Sequence, residues 1–204
     1  MPLAEPPVSA RRVLVAEDEA LIRLDLVEML GEEGYDVVGQ VGDGESAVRL
    51  ADELRPDVVI LDVRMPVLDG IAAAEQIVAA RIAPVVLLTA FSQRDLVERA
   101  REAGVMAYLV KPFQKKDLLP TVEMAMSRFQ EVLVLEQEVA GLSARLEARK
   151  LVDRAKGVLQ TDHGLTEPEA FRWLQRTSMD ERRSMRAVAQ DVLDGTSAPA
   201  PAAG

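Results

Sequence analysis

The chain has 204 residues, 49% of them apolar, which is enough for one hydrophobic core and a smaller second unit and excludes global disorder. It has no cysteine, which excludes disulfides, thiolate chemistry and a cysteine-ligated zinc. The net charge is −10, with −11 on residues 1–144 and +1 on residues 145–204, so a nucleic-acid partner is expected to meet the C-terminal part.

The termini and the apolar runs indicate the cellular compartment of the protein. No apolar run approaches the ~20 residues of a membrane span, and residues 1–10 lack the basic-then-apolar pattern of a signal peptide. We therefore expect a cytoplasmic protein. Residues 1–10 are predicted to be a disordered leader and residues 195–204, rich in Ala and Pro, a disordered tail.

Short apolar runs alternate with amphipathic stretches over the first half of the chain. Strands are predicted at 12–16, 36–41, 57–62, 84–88 and 106–110, and helices at 21–30, 44–54, 70–80 and 94–102. Five repeats of strand and helix predict an α/β fold, with a doubly wound five-stranded parallel sheet and helices on both faces.

Polar side chains stand where four of these strands end. Glu17 and Asp18 follow the first strand, Asp62 ends the third, Thr89 the fourth and Lys111 the fifth. The carboxyl ends of parallel strands meet at one edge, so these groups should converge. Clustered carboxylates repel one another unless a cation joins them, and an all-oxygen site beside a phosphate suits Mg²⁺. The pattern predicts an aspartate that accepts a phosphoryl group with the help of Mg²⁺.

These residues also carry a family resemblance. Glu17-Asp18, Asp62 with Met65-Pro66, Asp69-Gly70, Thr89-Ala90 and Lys111-Pro112 occur in this order and at these separations. In them, residues 11–125 resemble the receiver domain of two-component response regulators. The resemblance implies a flavodoxin-like fold and phosphorylation of Asp62 by a histidine kinase.

The resemblance further implies a role for each site residue. Asp18, Asp62 and the main-chain carbonyl of Arg64 would bind Mg²⁺ directly, with Glu17 acting through metal-bound water. Thr89 and Tyr108 would form a switch pair, and Lys111, ahead of a cis bond to Pro112, would pair with the acyl phosphate. Singly, each side chain has a structural alternative, such as a helix cap for Asp18 or a core aromatic for Tyr108. Jointly, their positions favour the functional interpretation.

The last receiver helix is predicted to continue from residue 116 to about 160. Val132, Leu135, Val139, Leu142 and Leu146 repeat at spacings of three and four, which is a coiled-coil pattern. Residues 126–148 are therefore predicted to be a helical connector. It either pairs with a second chain, which we favour, or packs back on its own receiver.

The C-terminal segment has two further helix starts. The long helix should end near His163-Gly164, where His163 is expected to be a capping or surface residue. A capping box at Thr166 to Glu169 opens a helix over 170–176, and a second one at Ser178 to Glu181 opens a helix over 182–193. The result is a small three-helix domain.

Residues 149–194 resemble the ANTAR domain, an RNA-binding module of transcription antiterminators. The matching residues are 155–159, 166–171, 174–176 and 187–189. The combined architecture resembles that of the mycobacterial phosphorylation-dependent antitermination regulators. It implies binding to hairpins in leader transcripts, with a possible homodimer on phosphorylation or RNA binding.

Basic and aromatic side chains of this segment are the candidate RNA contacts. We expect Lys156, Gly157 and Arg172 first, then Arg154 and Arg176, with Arg149 and Lys150 as further cations and Phe171 or Trp173 as the aromatic. Packing in the core is the alternative for the aromatics, and solvation for the arginines.

The favoured interpretation is thus a phosphorylation-controlled RNA-binding regulator. The alternative is a signalling adaptor whose C-terminal helices bind protein, because residues 145–204 lack a strong basic excess. DNA binding ranks last, since neither helix junction resembles a helix-turn-helix. An enzyme is not expected, because the sequence has no catalytic triad, no metal-binding histidine pair and no nucleotide-cradling glycine loop.

Overall fold

The structure is a computed structural model that describes residues 10–90 and 94–199. Its chain divides into two units, Met1–Leu133 and Val134–Gly204. The predicted leader lies outside the described residues except for Ala10, and residues 200–204 of the predicted tail also lie outside them.

The first unit alternates strands and helices in the predicted order. Its elements are β1 (Arg12–Ala16), α1 (Ala20–Glu32), β2 (Asp36–Val41), α2 (Gly44–Leu54), β3 (Val58–Asp62), α3 (Gly70–Ala79), β4 (Val85–Thr89), α4 (Arg94–Glu102), β5 (Ala107–Val110) and the first part of α5 (Lys115–His163). The five strands form one parallel sheet in the order β2-β1-β3-β4-β5. The predicted doubly wound fold is confirmed.

The sheet is buried because its central strands are apolar on both faces. Every residue of β3 and β4 is buried, and two separate clusters of apolar side chains cover the two faces. Short polar side chains begin the helices that follow β2 and β3. The carboxylates of Asp43 and Asp69 accept hydrogen bonds from the main-chain N–H groups of Ser46 and Ala72. These caps fix where each helix leaves the sheet edge.

The helix α5 runs from Lys115 to His163 and has Pro120 in its second turn. Gly164, with φ of 66°, follows its end, as expected for a left-handed helix stop. Four residues of the predicted coiled-coil pattern, Leu135, Val139, Leu142 and Leu146, are exposed on this helix. No helix among the described residues is both long and apolar enough to cross a membrane.

The second unit contains the C-terminal part of α5, α6 (Glu167–Asp180) and α7 (Met185–Leu193). Its core is formed by small and aliphatic side chains from all three helices, namely Ala155, Leu159, Ala170, Leu174, Val188, Ala189 and Val192. The predicted capping box begins α6: the main-chain N–H and the hydroxyl of Thr166 lie 2.8 and 2.6 Å from Glu169 Oε2.

The second predicted capping box was wrong. Ser178 and Asp180 lie inside α6, which continues four residues beyond the predicted end at Arg176. The chain reverses only at Arg182, where φ is 53°, and α7 begins after Ser184, whose hydroxyl oxygen accepts from the Ala187 N–H. The pattern Ser-x-x-Glu also fits a helix interior, so it cannot by itself locate a helix start.

The first residues of the predicted tail are attached to α7. The main-chain N–H groups of Thr196 and Ser197 both donate to the Asp191 carbonyl, at 2.9 and 3.3 Å. The described part of the tail therefore begins as a hydrogen-bonded turn.

Candidate functional site

The strand ends bring the predicted polar groups to one cavity. This cavity has a volume of about 180 Å³ and is lined by Asp18, Glu19, Asp62, Val63, Arg64, Thr89, Ala90 and Lys111. Asp62 and Thr89 are almost fully buried, whereas Asp18 lies at the open side. The convergence predicted from strand direction is what the structure shows.

Lys111 joins two buried acids at the floor of the site. Its ammonium nitrogen lies 2.6 Å from Asp62 Oδ1 and 2.6 Å from Glu17 Oε2. Glu17 is completely buried, so its ion pair with Lys111 is shielded from solvent. The Lys111-Pro112 peptide bond is cis, as expected, and follows directly after β5.

The main chain around Asp62 is tightly constrained. The other carboxylate oxygen, Oδ2, accepts the Arg64 N–H at 2.9 Å. A Cβ atom at Gly70 would stand 1.9 Å from the Asp62 carbonyl oxygen, so only glycine fits there. The backbone thereby fixes the direction in which the Asp62 side chain enters the cavity.

The ionisation of these groups is strongly coupled. Burial raises the pKa of the Glu17 carboxyl, as does the nearby Asp62 charge, although the hydrogen bond from Lys111 opposes the shift. Burial alone would lower the pKa of Lys111. Its hydrogen bonds to Asp62 and Glu17 outweigh burial, so the net pKa is raised and the ammonium stays charged.

Three carboxylates at the site could share a cation. Glu17, Asp18 and Asp62 each offer an oxygen, and these oxygens lie within 4.8 Å of one another. Carboxylate oxygens at one open cavity suit a hard divalent cation such as Mg²⁺, which keeps part of its water shell. Arg64 lines the same cavity, next to the carboxylates. The donor set therefore fits the expected metal.

The two candidate switch residues differ in exposure. Thr89 ends β4 and is buried, whereas the ring of Tyr108 on neighbouring β5 is half-exposed. A threonine that lines the cavity and a half-exposed ring on the adjacent strand are thus both present.

One contributor to the site is missed by the sequence reasoning. The Arg23 guanidinium, in the first turns of α1, donates to the main-chain carbonyl of Glu17. It braces the turn that carries Glu17 and Asp18. The cation lies five residues after Asp18 on the first exit helix, and that spacing is the signal that could have indicated it.

In the second unit, the first candidate for RNA contact is already paired. The Lys156 ammonium lies 2.8 Å from Asp153 Oδ1 and 2.9 Å from Glu167 Oε1, which ties α5 to the start of α6. A Cβ atom added at Gly157 would meet no described atom within 4 Å, so no described helix requires a glycine there. Its surface is open to a partner.

The other candidates divide by exposure. Arg154, Arg172 and Arg176 are exposed, as are Arg149 and Lys150 on α5, and Lys150 pairs with Glu147 at 2.8 Å. Phe171 is exposed, whereas Trp173 packs against the core of the second unit. His163 is the exposed last residue of α5.

The strand order and the acidic cluster at the carboxyl edge place the first unit in the class of receiver-like domains. The family model described as the response regulator receiver domain matches residues 13–123, and the ANTAR domain model matches residues 140–193. The chain belongs to the response regulators in which a receiver precedes an ANTAR domain.

A relative of nearly the same length supports this assignment. The transcriptional regulatory protein PdtaR of Mycobacterium tuberculosis is 65% identical over 189 residues, which cover 93% of this chain and 92% of that protein. The predicted recognition is confirmed.

Solved structures match the first unit. The signal receiver domain of the response regulator NarL from Mycobacterium tuberculosis has a TM-score of 0.56 at 29% identity, covering 58% of this chain and 97% of that one. The receiver domain of a sensor histidine kinase from Pseudomonas aeruginosa has a TM-score of 0.53 at 33% identity, covering 58% and 99%. That structure is described as having a magnesium ion coordinated in its active site cleft.

Proposed function

We propose that this protein is a cytoplasmic response regulator that a histidine kinase phosphorylates on Asp62 and that then controls gene expression by binding RNA hairpins. Binding would stabilise these hairpins against a competing terminator. The main support is the Asp62 carboxylate, buried at the end of β3 and held by Lys111 beside two further acids. Membership of the receiver and ANTAR families is the second line of support for this function.

Phosphoryl transfer would use the groups already in the cavity. An Asp62 carboxylate oxygen attacks the phosphorus, an O–P bond forms, and the N–P bond to the kinase imidazole breaks. Mg²⁺ held by Asp18, Asp62 and the Arg64 carbonyl, with Glu17 behind a water, would neutralise the phosphoryl charge. Lys111, now on Asp62 Oδ1, would turn its ammonium toward the new phosphate.

The response would pass through Thr89 and Tyr108. Thr89 lines the cavity, so its hydroxyl would donate to a phosphoryl oxygen on Asp62. Its movement would leave room for the half-exposed Tyr108 ring to turn inward. This changes the surface of the receiver near α4 and β5, and a bias of a few kcal/mol suffices for such a two-state switch.

The output would lie in α5 to α7. The exposed aliphatic side chains of the connector, from Leu135 to Leu146, fit a coiled-coil seam with a second copy of the chain. The basic side chains of residues 149–194 would contact RNA phosphates. Because Lys156 is paired twice, we assign it first to holding α6 in place and only then to RNA.

Phosphorylation is tested by incubating the full chain with a small acyl phosphate and Mg²⁺ and measuring its intact mass. We expect a gain of one phosphoryl group in the wild type and none in Asp62→Asn. Asp69→Asn is the matched control, because Asp69 caps α3 instead of joining the cluster. Equal labelling of wild type and Asp62→Asn would contradict the assignment.

RNA binding separates the proposal from the adaptor alternative. A salt-sensitive mobility shift with a two-hairpin leader RNA would support an RNA-binding output. The near-neutral charge of residues 145–204 and the paired state of Lys156 favour the adaptor. An absence of RNA binding in every phosphorylation state would contradict the proposed RNA-binding output.

A further inference from the structure

The helix α6 has one side that the core of the second unit does not use. Ala170 and Leu174 point into the core, and Trp173 packs against it. The exposed positions on the opposite side are Phe171, Arg172, Gln175, Arg176 and Met179, which we call the outer α6 face. Phe171 is 44% and Met179 70% exposed, so this face presents apolar surface to solvent.

The charges on this face are all positive. Arg172 donates its Nε–H to the Pro168 carbonyl at 3.2 Å, and Arg176 forms no hydrogen bond or ion pair with any described residue. Neither cation is neutralised by a carboxylate on the face itself.

The acids at the start of α6 are occupied elsewhere. Glu169 closes the capping box with Thr166, and Glu167 pairs with Lys156. They lie at the edge of the outer α6 face: hydrogen bonds from Thr166 and the charge of Arg172 lower the pKa of Glu169, and the exposed Asp180 ends the helix four residues after Arg176. A domain with almost no net charge therefore has one local surface that combines an exposed ring with two cations.

We propose that the outer α6 face receives an unpaired RNA base, which stacks on the Phe171 ring while Arg172 and Arg176 contact the neighbouring phosphates. The inference rests on the proposed RNA-binding function and specifies its contact surface. An exposed ring suits the π-face of a base, and guanidinium groups without a carboxylate partner suit the backbone on either side. The charge complementarity favours a polyanion over a protein partner.

Base stacking on Phe171 and phosphate contacts by the arginines should affect RNA affinity and its salt dependence differently. Loss of an aromatic stacking partner lowers affinity by roughly 5- to 150-fold and leaves the salt dependence unchanged, because stacking releases no counterion. Loss of one arginine reduces the slope of log affinity against log salt by about 0.7 to 0.9. A role in folding would produce neither pattern selectively.

The test uses the full phosphorylated chain and a pool of RNA hairpins with fixed stems and randomised loops, enriched on the wild type. Affinities are measured over a salt series for Phe171→Leu, Phe171→Tyr and Arg176→Gln. Arg101→Gln, in α4 of the first unit, matches the charge change of Arg176→Gln. Fluorescence of Trp173, the only tryptophan of the chain, monitors the fold of the second unit in each variant.

We expect Phe171→Leu to lose at least about fivefold in affinity at unchanged salt slope, and Phe171→Tyr to bind like the wild type. Arg176→Gln should lower the slope, and Arg101→Gln should not. If the wild type binds the hairpins and Phe171→Leu binds equally well, the inference falls and the proposed function stands. If the wild type binds no hairpin, both fall, and the face serves a protein partner.

Discussion

Lys111 and Lys115 allow a controlled test of how the phosphorylation site is held together. Each ammonium bridges two carboxylates, at distances of 2.6 to 2.8 Å. The side chains of Lys111 and its two partners are 0 to 14% exposed, whereas those of Lys115, Glu32 and Glu33 are 33 to 58% exposed. The two lysines therefore differ mainly in burial.

Burial sets the size of the expected effect. Lys111→Met leaves two buried carboxylates without their cation, which should cost about 3 kcal/mol of unfolding free energy. Lys115→Met breaks exposed pairs and should cost far less unfolding free energy than Lys111→Met. Saturating Mg²⁺ should stabilise Lys111→Met more than the wild type, because the metal then replaces the missing ammonium.

The loss should also depend on pH. Burial raises the folded-state pKa of Glu17, so its stabilising contribution is complete below its ordinary pKa and is lost as pH rises through the folded value. Removing Lys111 takes away a contact that lowers this pKa. The loss of unfolding free energy in Lys111→Met should therefore be small in acid and grow toward neutral pH.

Hydrogen exchange in β1 and β3 during a urea titration measures the unfolding free energy of the first unit. Trp173 fluorescence reports the second unit and serves as an internal reference. Equal losses of unfolding free energy in the two lysine variants would refute the idea that burial sets the size of the effect. A loss in Lys111→Met that changes with neither Mg²⁺ nor pH would refute it as well.

Four further predictions concern single positions. Gly70→Ala should abolish phosphorylation, because its Cβ would stand 1.9 Å from the Asp62 carbonyl oxygen. At Gly157 an added Cβ would meet no described atom within 4 Å, so Gly157→Ala should stabilise the second unit by up to about 1 kcal/mol in urea titrations. Val67→Asn should stabilise the first unit by about 0.5–1 kcal/mol in the same assay, because Val67 has φ of 67° and is 78% exposed. Burial and the hydrogen bond to Glu123 raise the pKa of Tyr35 to about 12, so wild-type stability relative to Tyr35→Phe should fall between about pH 10 and 12.

The sheet and the site could be predicted because both follow from where apolar runs stop. Buried parallel strands need continuous apolar residues, and the polar residue after each run must lie at the carboxyl edge. The positions of Asp62, Thr89 and Lys111 follow directly from that rule. Their distances do not, because they depend on strand register and on the close approach of Gly70 to the main chain of Asp62.

The C-terminal helices were harder to predict, because local patterns there have more than one solution. Ser178 has the spacing of a capping residue but lies inside α6, and Ser184, followed by Ala187 at the third helical position, is the cap. The pairing of Lys156 with Glu167 joins residues across a helix reversal. Sequence spacing alone cannot reveal it.

The central claim is that phosphorylation of Asp62 controls RNA binding. The most direct test is the affinity of the full chain for a two-hairpin leader RNA, with and without phosphorylation, with Asp62→Ala as control. We expect salt-sensitive binding that strengthens on phosphorylation of the wild type and stays at the resting level in Asp62→Ala. Equal affinity in both states of the wild type, or an identical gain in the variant, would contradict it.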